Sequence, residues 1–216
     1  MPKAIFFDND GVLVDTETLY FQATSELFAD LGIELTRSMF HELFLVQSRG
    51  AWHLLDERGV PHEDVEVLRA RRNSRYEDLL RDRDLVVPGV REALARLKGR
   101  FRLGIVTSSK RGHFDAIHRT TGLLEYFDFF LTREDYAHSK PDPEPYLKAV
   151  QVSGVPRERC LVIEDSERGL RSAKGAGLAC WVIPNELTAE GDFGTADRVL
   201  ASIGEAVALL LEGPGA

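Results

Sequence analysis

Cysteine is scarce. Cys160 and Cys180 are the only two in 216 residues, each beside a short apolar run. That excludes a disulfide framework and reads as a pair of buried thiols in a reducing compartment. No Cys/His spacing resembles a zinc site. Long apolar runs are also missing, and none approaches the ~20 residues of a bilayer span, so no membrane partner is expected. The opening Met1-Pro2-Lys3-Ala4, followed by Ile5-Phe6-Phe7 and an acidic stretch, lacks the apolar region and cleavage site of a signal peptide, and a cytoplasmic location is expected. Positive charge is in deficit, with 27 Lys and Arg against 35 Asp and Glu, a net charge of -8. That balance argues against nucleic acid and leaves a small molecule as the expected partner of a monomeric chain. Repeats and low-complexity tracts are absent.

What is present is an alternation. Short runs rich in β-branched or aromatic residues occur at Ala4–Phe7, Arg102–Val106, Phe127–Leu131, Cys160–Ile163 and Ala179–Ile183, and they read as buried strands. Between them lie helical periods: Val90, Leu94 and Leu97 before Gly99; Phe114, Ile117 and Thr121 before Gly122; Leu147 and Val150 before Gly154; Leu170 and Ala173 before Gly177. The expected fold is α/β, a Rossmann-like parallel sheet with helices on both faces. From Thr16 to about Arg83 the alternation stops and only helical periods remain, which predicts an inserted all-helical cap over 16–83 and a core of 1–15 with 84–216. The cap's first helix carries Tyr20, Ala23, Leu27 and Leu31 on one face and stops at Gly32; further helices are expected over 36–44, 51–58 and 63–80. Arg69, Arg71, Arg72, Arg75 and Arg81, interspersed with Glu66, Glu77, Asp78 and Asp82, read as a solvated helix face. The tail 213–216 reads as frayed.

Four polar motifs follow strands, where open α/β sheets bind ligands. In Asp8-Asn9-Asp10-Gly11, residues i and i+2 of an extended chain point the same way, so Asp8 and Asp10 project together. Two close carboxylates repel, a cation relieves the repulsion, and oxygen ligands suit Mg²⁺. Thr107-Ser108-Ser109-Lys110 offers hydroxyls and helix-start N–H groups to phosphoryl oxygens, although Ser108 or Ser109 alone reads as an N-cap. Ser139-Lys140-Pro141-Asp142-Pro143 sets one lysine beside prolines that stiffen the loop. Glu164-Asp165-Ser166 supplies a second acidic pair, with Ser166 also suited to capping the next helix.

In this order and spacing the four motifs resemble the haloacid dehalogenase superfamily of phosphatases and phosphomutases. The opening Asp8-Asn9-Asp10-Gly11-Val12-Leu13-Val14-Asp15-Thr16-Glu17, with a helical insertion behind it, is similar to the branch containing β-phosphoglucomutase and phosphoglycolate phosphatase. The resemblance implies a Mg²⁺-dependent phosphatase acting on a small phosphate ester. Asp8 would be nucleophile and metal ligand; Asp10 would be general acid/base and bind metal through its carbonyl. Thr107, the Ser108 amide and Lys140 would hold the phosphoryl group, Asp165 would ligate metal, and Glu164 would orient its water.

Asp10 argues against the dehalogenases and phosphonate-cleaving members, which lack that second aspartate. The mutase, the runner-up, places a histidine at the start of its first cap helix and a Lys-Gly pair in a cap loop; this chain has Tyr20 and Gln47-Ser48-Arg49-Gly50. Both departures favour hydrolysis and mark Arg49, with Gln47 or Trp52, as candidate substrate contacts, against the plain reading of a surface arginine and a tryptophan in the cap core. A signalling receiver would carry its acceptor aspartate after the third strand of a shorter chain. A catalytically dead phosphate-binding relative is disfavoured because every catalytic position is filled.

Overall fold

Strand β1, Ala4–Phe7, is the centre around which the molecule is organised. All four of its side chains are buried, and Ile5, Phe6 and Phe7 each contribute roughly 1.5 to 3 kcal/mol by leaving water. A computed structural model describes residues 1–47, 49–81 and 83–212. Ser48, Asp82 and the tail 213–216, read above as frayed, lie outside the described residues.

The sheet is parallel throughout and has the order β3-β2-β1-β4-β5-β6, with β2 at Arg102–Val106, β3 at Phe129–Leu131, β4 at Cys160–Glu164, β5 at Ala179–Val182 and β6 at Arg198–Val199. The chain leaves β1 for β2 on one side and returns to β4 on the other, so the order reverses at β1, the position where such sheets bind ligands. β4 runs one residue further than expected, to Glu164, and β5 stops one sooner, at Val182; two other strands depart more. β3 starts at Phe129 rather than Phe127, because 124–126 form a 3₁₀ turn and Asp128 is tied to Leu103 through both its backbone N–H and its carboxylate. β6 was not anticipated: it is two exposed residues long and has no apolar pattern to read. Cys160 and Cys180 are buried free thiols, as expected.

Contacts divide the chain into two units, Met1–Asp15 with Asp84 onward, and Thr16–Arg83. In the second unit lie α1 (Glu17–Asp30), α2 (Arg37–Phe40) continuing into a π-helical turn at His41–Val46, α3 (His53–Asp56) and α4 (His62–Leu80), and its described residues include no strand. Tyr20, Phe40, Phe44 and Tyr76 form an aromatic cluster there, and α1 packs on α4. One residue corrects the solvated reading of α4. Arg72 is buried, its guanidinium 4.2 Å from the centroid of the Tyr20 ring and 5.5 Å from that of Trp52, and it donates to Thr24 Oγ1. Arg71 and Arg75 are exposed and pair with Asp30 and Glu26.

In the first unit α5 (Val90–Leu97), α6 (Arg111–His118), α7 (Glu144–Ser153), α8 (Glu167–Gly175) and α9 (Ile203–Glu212) complete the fold. α6 stops at His118, short of Thr121, whose hydroxyl accepts the Leu123 N–H and bonds the His118 ring.

Candidate active site

Register brings the motifs together. Phe7 lies opposite Ile105 on one side and Ile163 on the other, so the residues after β1, β2 and β4 emerge at one edge of the sheet. Asp8, Thr107, Glu164 and Asp165 are buried there, and Asp10 and Ser108 are half-buried.

Lys140 reaches this edge from the loop after β3, where the Lys140–Pro141 peptide is cis. Its Nζ donates to Asp8 Oδ1 at 2.6 Å, Glu164 Oε1 at 2.6 Å and the Val106 carbonyl at 2.8 Å. Those acceptors use all three ammonium protons. Burial alone would pull this ammonium down, yet Asp8 and Glu164 hold it above its ordinary value. Burial likewise works against ionised Glu164, but the Lys140 charge and hydrogen bonds from Lys140 and Tyr146 keep its carboxyl below the usual range. Tyr146 donates to Glu164 Oε1 at 2.6 Å; the Ser166 hydroxyl and the Asp165 N–H donate to Oε2. Asp8 goes the other way. Burial pushes its carboxyl up to about 7, with Glu164 and Asp10 adding to the rise and Lys140 opposing it.

Asp10 meets the second motif. Its Oδ2 accepts from Ser109 Oγ at 2.9 Å, Thr107 Oγ1 at 3.2 Å and Asn9 Nδ2 at 3.3 Å. Neither Ser108 nor Ser109 caps α6, whose N-cap is Lys110 without a side-chain bond; Ser166 does cap α8, accepting from the Gly169 N–H. Arg49 and Gln47 are exposed on the helical unit, Gln47 donating to Glu42. Trp52 packs on Phe28 in that unit.

The donor set suits a small hard cation. Carboxylate oxygens of Asp8, Glu164 and Asp165 lie within 4.8 Å of one another. With Asp10 they put four carboxylates at an edge that holds one buried lysine, itself paired with Asp8 and Glu164, an excess of negative charge that a divalent ion would offset. Gly11, at φ +85°, leaves the cradle open: a Cβ there would stand 2.2 Å from Asp165 Oδ2 and 2.6 Å from Asn185 Nδ2. Asn185, after β5, orients Asp165 by donating to Oδ2 at 2.8 Å. Asn185, Tyr146 and His118 carry no motif that marks them in the sequence, and Ser109, expected to offer its hydroxyl to phosphoryl oxygens or to cap a helix, instead donates to Asp10; only for Asn185, on a loop after a strand, does position offer a signal.

A parallel sheet that gathers acidic residues beside a buried lysine at its switch point defines an α/β protein with a ligand-binding edge suited to a divalent cation. Comparison with known proteins gives the family. The haloacid dehalogenase-like hydrolase model matches residues 2–177. Protein CbbY of Cereibacter sphaeroides is 34% identical over 95% of this chain and 94% of its own, and the phosphorylated carbohydrates phosphatase of Thermotoga maritima is 33% identical over 82% of each. The crystal structure of CbbY from Rhodobacter sphaeroides in complex with xylulose-(1,5)bisphosphate superposes with a TM-score of 0.81 at 32% identity, covering 95% of this chain and 96% of that one. The chain therefore belongs to the haloacid dehalogenase-like hydrolases. It is an enzyme of the phosphoric monoester hydrolase class.

Proposed function

We propose that this enzyme hydrolyses a small phosphorylated sugar or related metabolite, with Mg²⁺ as cofactor and an aspartyl-phosphate on Asp8 as intermediate. The observation that carries the reading is the convergence of Asp8, Asp10, Asp165 and Lys140 on one sheet edge. Asp8, Asp165 and the Asp10 carbonyl would hold the metal, with Glu164 orienting its water and fixing Lys140. Bound Mg²⁺ would neutralise phosphoryl oxygens and keep Asp8 ionised against the burial that raises it.

Lys140, giving up one of its three acceptors, and the Thr107 hydroxyl, turning from Asp10, would join the Ser108 amide on the phosphoryl group and lower the repulsion that a carboxylate nucleophile meets. Asp8 attacks phosphorus, the ester P–O bond breaks, and Asp10 gives its proton to the leaving oxygen. Asp10 then takes a proton from the water that attacks the phosphoryl group, which frees Asp8 and inorganic phosphate. The helical unit 16–83 acts as a cap whose Arg49 and Gln47 contact substrate. The names of CbbY's crystallised ligand and of the Thermotoga phosphatase support a phosphorylated carbohydrate.

The test is a panel of phosphorylated sugars and glycolate, with and without Mg²⁺, on wild type and Asp8→Asn, scoring both free phosphate and isomerised β-glucose 1-phosphate. Phosphate release that requires Mg²⁺ and Asp8 supports the reading, whereas isomerisation without release makes the enzyme a mutase.

A further inference from the structure

Asn9 sits between Asp8 and Asp10, wholly buried, and its side chain belongs to a continuous hydrogen-bonded chain. The Leu123 N–H donates to Thr121 Oγ1 at 3.2 Å, and that hydroxyl lies 2.9 Å from His118 Nδ1. His118 Nε2 lies 2.8 Å from Asn9 Oδ1, and Asn9 Nδ2 is 3.3 Å from Asp10 Oδ2. Thr121 and His118 are themselves buried.

Each link sets the polarity of the next. Asp10 Oδ2 accepts, so the Asn9 NH₂ faces it and the amide oxygen faces His118, whose Nε2 therefore carries a hydrogen. Burial holds the imidazole down to about 4, with Asp10 and Asp115 pulling the other way, so at neutral pH the ring has one N–H and Nδ1 is an acceptor. The Thr121 hydroxyl then donates to Nδ1 while its oxygen accepts from Leu123. With Oδ1 committed to His118, the Asn9 amide has one orientation, its NH₂ toward Asp10. Without substrate, Asn9 Nδ2, Thr107 and Ser109 place three donors on Asp10 Oδ2, and of these Asn9 is the one held from behind by the relay.

We infer that His118 is a positioning residue: locked by Thr121, it orients Asn9, and Asn9 fixes the rotamer of the Asp10 carboxylate for proton transfer. The inference rests on the role proposed above for Asp10. Nothing in the relay requires His118 to touch substrate or to change charge.

The experiment combines kinetics with ¹⁵N NMR of the histidine rings in the full chain. Asn9→Leu and His118→Phe are expected to lower kcat by ~10- to 100-fold without changing KM, the scale seen when a partner behind a reacting group is removed. In an Asp10→Asn background the same changes should alter the residual rate by no more than ~2-fold, because the relay then has nothing left to orient. Thr121→Val should reproduce part of the kcat loss, and Thr121→Ser should restore it. An unchanged kcat in folded Asn9→Leu, or an equal loss in the Asp10→Asn background, overturns the relay. The NMR arm is independent of activity: His118 protonated on Nε2 at pH 7 is the expected state, and a proton on Nδ1 overturns the inference even if no phosphate ester is turned over. A wild-type enzyme that releases no phosphate from any ester, yet shows the Nε2 tautomer, overturns the role of Asp10 and leaves the hydrogen-bonded chain standing.

Discussion

The Lys140 ammonium lies 2.6 Å from Asp8 Oδ1, 132 residues away in the chain, and is 2% exposed. Charges that deep are tolerated only in company. Removing the ammonium leaves Asp8 and Glu164 facing each other without a cation. Lys140→Met should therefore destabilise the metal-free protein by ~3 to 5 kcal/mol, the cost of orphaning a buried charge, and abolish turnover. Urea unfolding in the presence of a chelator checks the first figure; a loss below ~1 kcal/mol would mean that solvent already shields the pair.

Gly169, in the first turn of α8, has a role that helix propensity would miss. An added Cβ would fall 1.9 Å from Glu164 Cδ, inside the carboxylate that holds Lys140. On an exposed helix Gly→Ala gains ~1 kcal/mol. Here Gly169→Ala should instead cost ~1 to 3 kcal/mol and lower kcat, because Glu164 is fully buried and has nowhere to move. Differential scanning calorimetry reads the sign directly, and a raised Tm would contradict the packing described.

The legible part of this molecule was whatever is written locally. β1 and β2 stand where consecutive apolar residues placed them, and Asp8 and Asp10 follow β1 with the spacing that puts two carboxylates together. Arg72 was misread because a helix face marked by charge looks solvated until Tyr20 and Trp52, distant in sequence, supply their rings. Ser109 read as a cap because nothing near it in sequence announced Asp10, 99 residues away, as its acceptor. Tyr146 and His118 were invisible for the same reason: each sits in an ordinary amphipathic period, and only the fold reveals that one hydroxyl and one ring nitrogen reach the site.

His118 also sets a pH dependence of stability. Its folded value, about 4, lies below the ~6.5 of an unfolded histidine, so the unfolded chain takes up a proton first as pH falls. Stability is complete above pH ~6.5 and is lost progressively between there and pH ~4, by on the order of 3 kcal/mol from this group. Comparing urea midpoints of wild type and His118→Gln at pH 7.5 and pH 4.5 isolates it: the wild type should lose more than the variant. Equal losses would mean that the imidazole is not desolvated.

Arg49 is exposed on the helical unit, and the role proposed for it is substrate contact. Arg49→Ala should leave Tm within a degree or so, since an exposed side chain contributes little to stability, while lowering kcat/KM on a sugar phosphate by ~10-fold or more. An unchanged kcat/KM on the best substrate of the panel would remove Arg49 from the site.

The covalent intermediate is the centre of the account. Rapid acid quench of turnover with Mg²⁺ and the best sugar phosphate, followed by peptide mass mapping, locates it. One phosphoryl group is expected on the peptide carrying Asp8, formed and cleared ~10² to 10⁴ more slowly in Asp10→Asn, where both proton transfers slow. Undiminished phosphate release by Asp8→Asn, with no phosphorylated peptide in either protein, would contradict it.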